Sequence, residues 1–253
     1  MAVHQLASLP RTGGLGQRVS GLWQHAYAVQ PLPPGWLIAV SGLLALAVVG
    51  FPRVWRTARI VVTSVHEGGH ALAAVATGRR LGGVRMYRST AGVTVSAGRA
   101  DGPGLVLTTA AGYPAPSLLG AGAAALLGAG HLTGMLLLSL VLLAGLAIAV
   151  RNAYGLLTVA ASAGLVIAVC LYAPAVVQAG FGYALAWFLL LGGVRPVIEL
   201  HHERRRDLRR GGIRRSDADQ LARLTHIPGG AWVLIFGVIA VTALAVAARW
   251  LVG

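Results

Sequence analysis

Apolar residues run almost unbroken through long stretches of this chain, with polar residues confined to the joints between them. A helix crosses the hydrocarbon core of a bilayer with about 20 apolar residues, within a range of roughly 17 to 25. Seven stretches approach or meet that length: Gly35–Phe51, Ile60–Ala76, Gly104–Gly130, Leu132–Val150, Ala153–Ala173, Ala175–Val194 and Ala231–Ala248. The second carries three ionisable groups, and the third contains Pro114 and Pro116, which predict a kink or local break. Two connections are longer. Residues 77–103 alternate apolar and polar at Val84/Met86 and Val93/Val95 around Ser89–Gly92, the signature of a β-hairpin. Residues 195–230 are hydrophilic, and within them Ser216 to Leu224 predicts a short capped helix. The pattern predicts an all-α polytopic membrane protein of about six to seven transmembrane helices, with one small β-hairpin and an N-terminal segment over residues 1–32 ahead of a single transmembrane domain over 33–253.

Composition narrows the class. Of the 253 residues, 56% are hydrophobic and 11% charged, against about 25% charged in a soluble domain. That excludes a disordered chain, a disulfide scaffold and an ordinary water-soluble enzyme. The net charge of +14 comes entirely from arginine, since no lysine occurs. In a chain this apolar the excess reads as a topology signal rather than a nucleic-acid footprint. Placing the 195–230 segment in the cytoplasm, with the N-terminus, the hairpin and Arg151, puts 17 of the 21 arginines inside. The other four are Arg249 and Arg53, Arg56 and Arg59; the last three, between the first two stretches, are a blemish and fit a first segment that is re-entrant or lies at the interface. The first 32 residues hold no apolar run of the kind found in a cleaved signal, so the first hydrophobic segment is expected to be a retained anchor. The lone cysteine, Cys170, excludes an intrachain disulfide.

The chemistry lies in the second stretch, at His66-Glu67-Gly68-Gly69-His70. On a helix, residues four apart share a face about 6 Å apart along the axis, so both imidazoles can reach one zinc ion. Glu67 is then placed to take a proton from water and carry it to a leaving amine. Each ionisable group at the centre of a span costs about 2.5 kcal/mol or more on the insertion scale, which makes three in five residues hard to explain without function. The consecutive glycines imply a substrate or a neighbouring helix approaching the backbone. The motif centre lies about ten residues, roughly 15 Å, from the end of the span near Thr77, so the site sits in the membrane nearer the cytosol and needs a water-filled access.

Val65–Gly98, with Ala111–Gly120, Arg151–Gly155 and Ser216–Thr225, resembles the site-2-protease class of intramembrane zinc metalloproteases, and more narrowly their M50B-type bacterial branch. The resemblance implies a multi-pass protein of the bacterial plasma membrane with its active site toward the cytoplasm. It also implies a transmembrane protein substrate that adds as a strand to a membrane-associated hairpin, with Val84, Val93 and Val95 as the contacts in this chain. The chain departs from that class in two places. It has no L-D-G motif, and Gly112-Tyr113-Pro114-Ala115-Pro116-Ser117 replaces a G-P-x-x-N-type segment.

The third zinc ligand is therefore open. Of the seven acidic residues, Asp101, Glu199, Glu203 and Asp207 sit among arginines at span ends and in loops. Asp217 lies on the expected side of the membrane, and its Ser-Asp-Ala context matches the narrower branch. A neutral reading makes it a helix-start residue beside a Ser216 cap. Asn152, at the end of the fourth stretch, is the alternative, although an amide oxygen is a weak zinc ligand beside a carboxylate. It could instead donate to an oxyanion. A water is the remaining choice. His4, His25, His131, His201, His202 and His226 are expected outside the site. Two rival functions use the same histidines or the same fold: a metal transporter or sensor, and an inactive relative that binds membrane segments. Oligomeric state is not legible.

Overall fold

The computed structural model describes residues 14–210 and 216–253. Its elements are α1 (Leu15–Ala26), α2 (Gly35–Gly50), α3 (Pro52–Ala76), β1 (Arg80–Met86), β2 (Gly92–Ala97), α4 (Pro103–Ala110), α5 (Pro114–Gly128), α6 (Leu132–Ala149), α7 (Ala153–Tyr172), α8 (Ala175–Arg210), α9 (Asp217–Thr225) and α10 (Gly229–Val252). The protein is an all-α polytopic membrane protein with one β-hairpin. Among the described residues four helices, α6, α7, α8 and α10, are long and apolar enough to cross a membrane, and a fifth span arises when α2 and α3 are taken together.

That count is lower than the number of apolar stretches for reasons visible in the chain. The pair α2–α3 is bent by 103°. Pro52 holds the first position of α3, where a missing N–H costs nothing, and Phe51 before it is extended. The third stretch is divided between α4 and the 15-residue α5. Pro114 and Pro116 fall in the first turn of α5, which lets the chain restart a helix there and opens a break at Ala111–Tyr113.

The reading of 195–230 as a loop with one short helix is corrected in its first half, because α8 continues through Pro196 to Arg210. Val197 and Leu200 prolong its buried face, packing on Ala218, Leu221, Val233 and Phe236, so the helix keeps a core to lean on beyond the apolar run. Toward the N-terminus, Leu15–Ala26 forms α1, and Arg18 donates to the Leu171 carbonyl at 2.9 Å. His4, Arg11, Arg214 and Arg215 lie outside the described residues.

The main core joins α5, α6, α8 and α10 through Ala124, Leu127, Leu136, Tyr183, Leu190 and Leu251. Small residues permit the approach: a Cβ on Gly120 would lie 2.9 Å from Leu190 Cγ.

The hairpin packs on α3. Ser64 donates to the Met86 sulfur at 3.0 Å, and Thr63 donates to the Thr90 carbonyl at 2.9 Å. In the antiparallel register Val84 faces Thr94 and Met86 faces Gly92, so these four share the face toward α3. Val93 and Val95 point the other way and are exposed.

Candidate active site

Helix α3 carries His66, Glu67 and His70, and helix α9 brings Asp217 to them from the far end of the chain. His66 Nε2 and His70 Nε2 are 3.0 Å apart, and Asp217 Oδ2 lies 3.3 Å from the first and 3.2 Å from the second. Four-coordinate zinc with bonds of about 2.0–2.1 Å separates its ligand atoms by about 3.3 Å, so this triangle has the dimensions of one tetrahedral face. Burial pushes the Asp217 carboxyl up, but hydrogen bonds from His66 and His70 outweigh it and hold the group well below the usual carboxylate range.

The surroundings also fit a cation. Gly112, in the α4–α5 break, lies directly against the two imidazoles: any Cβ there would overlap His70 Nε2 and come within 2.6 Å of His66 Nε2. Only glycine leaves room at the ligand atoms. His70 Nδ1 is 2.7 Å from the Thr108 carbonyl, a partner that keeps the proton on Nδ1 and frees Nε2 for a metal. The ring of His66 stands edge-on to Tyr113 at 4.8 Å, and Tyr113 stacks on Phe236 at 5.1 Å. The break in the third apolar stretch thus supplies Gly112 and Tyr113 to the site, and α4 supplies Thr108.

Glu67 is 5% exposed and lies under β2. Thr94 Oγ1 donates to its Oε2 at 2.6 Å, and a Cβ on Gly92 would overlap its carboxylate. Of the two glycines in the motif, Gly69 faces a neighbour, with a Cβ there falling 2.6 Å from Ala115 Cβ, while Gly68 has open space beside it.

Two expected site residues lie elsewhere. Asn152 is not at the histidines. Its Nδ2 donates to the Met86 carbonyl at 2.7 Å and its Oδ1 accepts from the Met86 N–H at 3.1 Å, so both polar atoms are spent on β1. Val84 is fully buried in the core under the hairpin, and its carbonyl accepts from Arg151 N–H at 2.8 Å. The outer edge of β1 is thereby closed by residues 150–152. Val93 and Val95 remain accessible on β2, and no third strand pairs with β2 among the described residues. His201 and His202 are exposed and apart from the cluster.

Sequence reasoning did not find Thr94, Gly92, Thr108 or Gly112 as site residues. Gly112 alone left a signal, as a glycine ahead of the Pro-Ala-Pro run. The others are ordinary residues whose value comes from what the fold places opposite them.

Comparison with known proteins agrees with this geometry. The Peptidase M50B-like description matches residues 39–247, a stretch that includes α3, the hairpin, α9 and most of α10. The chain belongs to the Peptidase M50B-like family. No curated protein and no solved structure matches it. As an M50B-like chain it is a membrane metallopeptidase by family, and its His66–His70–Asp217 cluster has the geometry to hold a metal.

Proposed function

We propose that this chain is an intramembrane zinc endopeptidase that cleaves transmembrane segments of other membrane proteins. The observation that carries the reading is the convergence of His66, His70 and Asp217 within 3.0–3.3 Å, beside Glu67 in the apolar half of α3. Zinc, when bound, supplies a Lewis acid that polarises the scissile carbonyl and brings the pKa of water near 7. Glu67 takes the proton from the attacking water through its carboxylate and returns it to the leaving amine nitrogen. Thr94 holds that carboxylate in place, and Thr108 and Tyr113 orient the two imidazoles. An unwound substrate strand runs along the outer edge of β2, with Val93 and Val95 offering apolar contact on the exposed face. The family likeness suggests a bacterial plasma membrane, and the arginine distribution supports a site that opens toward the cytoplasm.

Asp217 favours this reading over an inactive segment-binding relative, which has no use for a third ligand atom from a distant helix. Glu67→Ala is expected to lower cleavage of a membrane-segment substrate by at least about 10²–10⁴-fold while the protein still binds zinc. Cleavage retained in that variant would sink the assignment. Metal flux in proteoliposomes without any proteolysis would establish the carrier instead.

A further inference from the structure

The third ligand atom comes from a helix of nine residues that joins the site only at its first turn. Something must hold that turn in place. Asp217 is the first residue of α9, after the cap Ser216, and the capping box closes through Asp219: its N–H donates to Ser216 Oγ at 3.3 Å, and its Oδ2 accepts from Ser216 N–H at 3.3 Å. The other Asp219 oxygen is bound by the guanidinium of Arg204, which comes from α8. Arg204 is 9% exposed and Asp219 6%. Arg204 also lies 3.4 Å from Ser216 Oγ, and Gly229 at the start of α10 packs so closely on its guanidinium that any Cβ there would overlap it. One arginine therefore ties the cap of α9 to α8 beneath the start of α10, two residues from the ligand.

We propose that Arg204 is a positioning residue for the candidate metal centre, acting through Ser216 and Asp219 to present Asp217 to His66 and His70. It touches no ligand atom. The apolar side of α9, Ala218 and Leu221, sets its depth against α8 and α10, and the Arg204–Asp219 pair sets the rotation of its first turn. This role rests on the metallopeptidase reading for its purpose, but the docking it describes does not depend on metal.

The experiment has two readouts on the full chain in detergent. Zinc affinity is measured by competition with a chelating dye. Docking of α9 is measured by alkylation of a cysteine at Leu221, which is fully buried, using Leu221→Cys in a Cys170→Ser background. Arg204→Ala is expected to weaken zinc by about 10–100-fold, the range for partners that orient ligands, and to speed labelling at 221 at least severalfold. Arg204→Lys keeps the charge but loses the fork that reaches two groups, and is expected to fall between. Cobalt-loaded Arg204→Ala is expected to lose visible-band intensity toward that of Asp217→Ala. Should Arg204→Ala fail to fold, Asp219→Asn, which removes the ion pair and keeps the cap, is expected to show the same shifts at smaller size. A folded Arg204→Ala, or failing that Asp219→Asn, with parental labelling at 221 overturns the proposal. Parental zinc affinity in such a variant overturns it equally. A parent protein that binds no zinc defeats the peptidase reading, and the labelling then decides the role of Arg204 by itself.

Discussion

Helix α3 carries two clusters of ionisable and polar groups about two turns apart, roughly 10 Å, and they are built on opposite plans. In the first, Trp55 Nε1 donates to Glu199 Oε1 at 2.9 Å, Arg195 Nε donates to the same oxygen at 3.0 Å, and Arg59 pairs with Oε2 at 3.5 Å. Arg195 also donates to the Val49 carbonyl at the end of α2 and lies over the Trp55 ring. Donors face acceptors there, and the cluster pins the α2–α3 bend to α8. In the second, His66, His70 and Asp217 turn ligand atoms toward one another. Two imidazole nitrogens and a carboxylate oxygen lie there at the spacing that one cation would bridge. Both clusters contain charge in an apolar setting; the first sets cations around a carboxylate, whereas the second sets metal-ligating atoms around a common point. That difference separates a structural ion cluster from a site.

The contrast can be broken by experiment. The largest effect is expected at the second cluster: Asp217→Ala should reduce zinc affinity by more than the roughly 10–100-fold that outer partners carry, whereas Asn152→Ala should leave it near the parent value. Equal losses in both, measured by metal competition, would restore Asn152 as a ligand. Next, Gly112→Ala places a methyl against both imidazoles and should weaken zinc at least tenfold with the fold intact by circular dichroism. Chelation should then lower the melting temperature of the parent and leave that of Asp217→Ala nearly unchanged, because binding energy at a native site adds to stability. The smallest change in metal chemistry is expected at the first cluster. Glu199→Ala removes acceptors from charged donors and should cost about 1–3 kcal/mol of stability, read as a lower melting temperature with zinc affinity unaltered. A loss of zinc in Glu199→Ala would mean that the two clusters are one unit.

Much of this architecture was readable before any coordinates. Hydrophobic runs of span length have few alternatives to membrane helices, and Pro114 and Pro116 marked the broken third stretch. The H-E-x-x-H spacing placed both histidines on one face, because helical periodicity is a local property. The hairpin was legible from alternation, but its facing was not: Val84 and Val93 look alike in sequence, and only the packing of β1 on α3 and of residues 150–152 on its edge buries one and exposes the other. The continuation of α8 to Arg210 is not legible from polarity, because arginine and glutamate are good helix formers wherever an apolar stripe persists.

The sequence by itself determined the membrane class, the positions of most helices, the hairpin and the two histidines with their glutamate, all of which rest on periodicities and spacings within a few residues. Tertiary structure alone brought Asp217, rather than Asn152, to the two histidines. Asp217 and Asn152 were both admissible in sequence, and each is hydrogen-bonded in the fold: Asn152 to the backbone of Met86, Asp217 to the histidines. A distance of about 150 residues along the chain becomes 3.2 Å in space only through the docking of α9 between α8, α10 and α4, and no local pattern encodes a contact made by three separate elements.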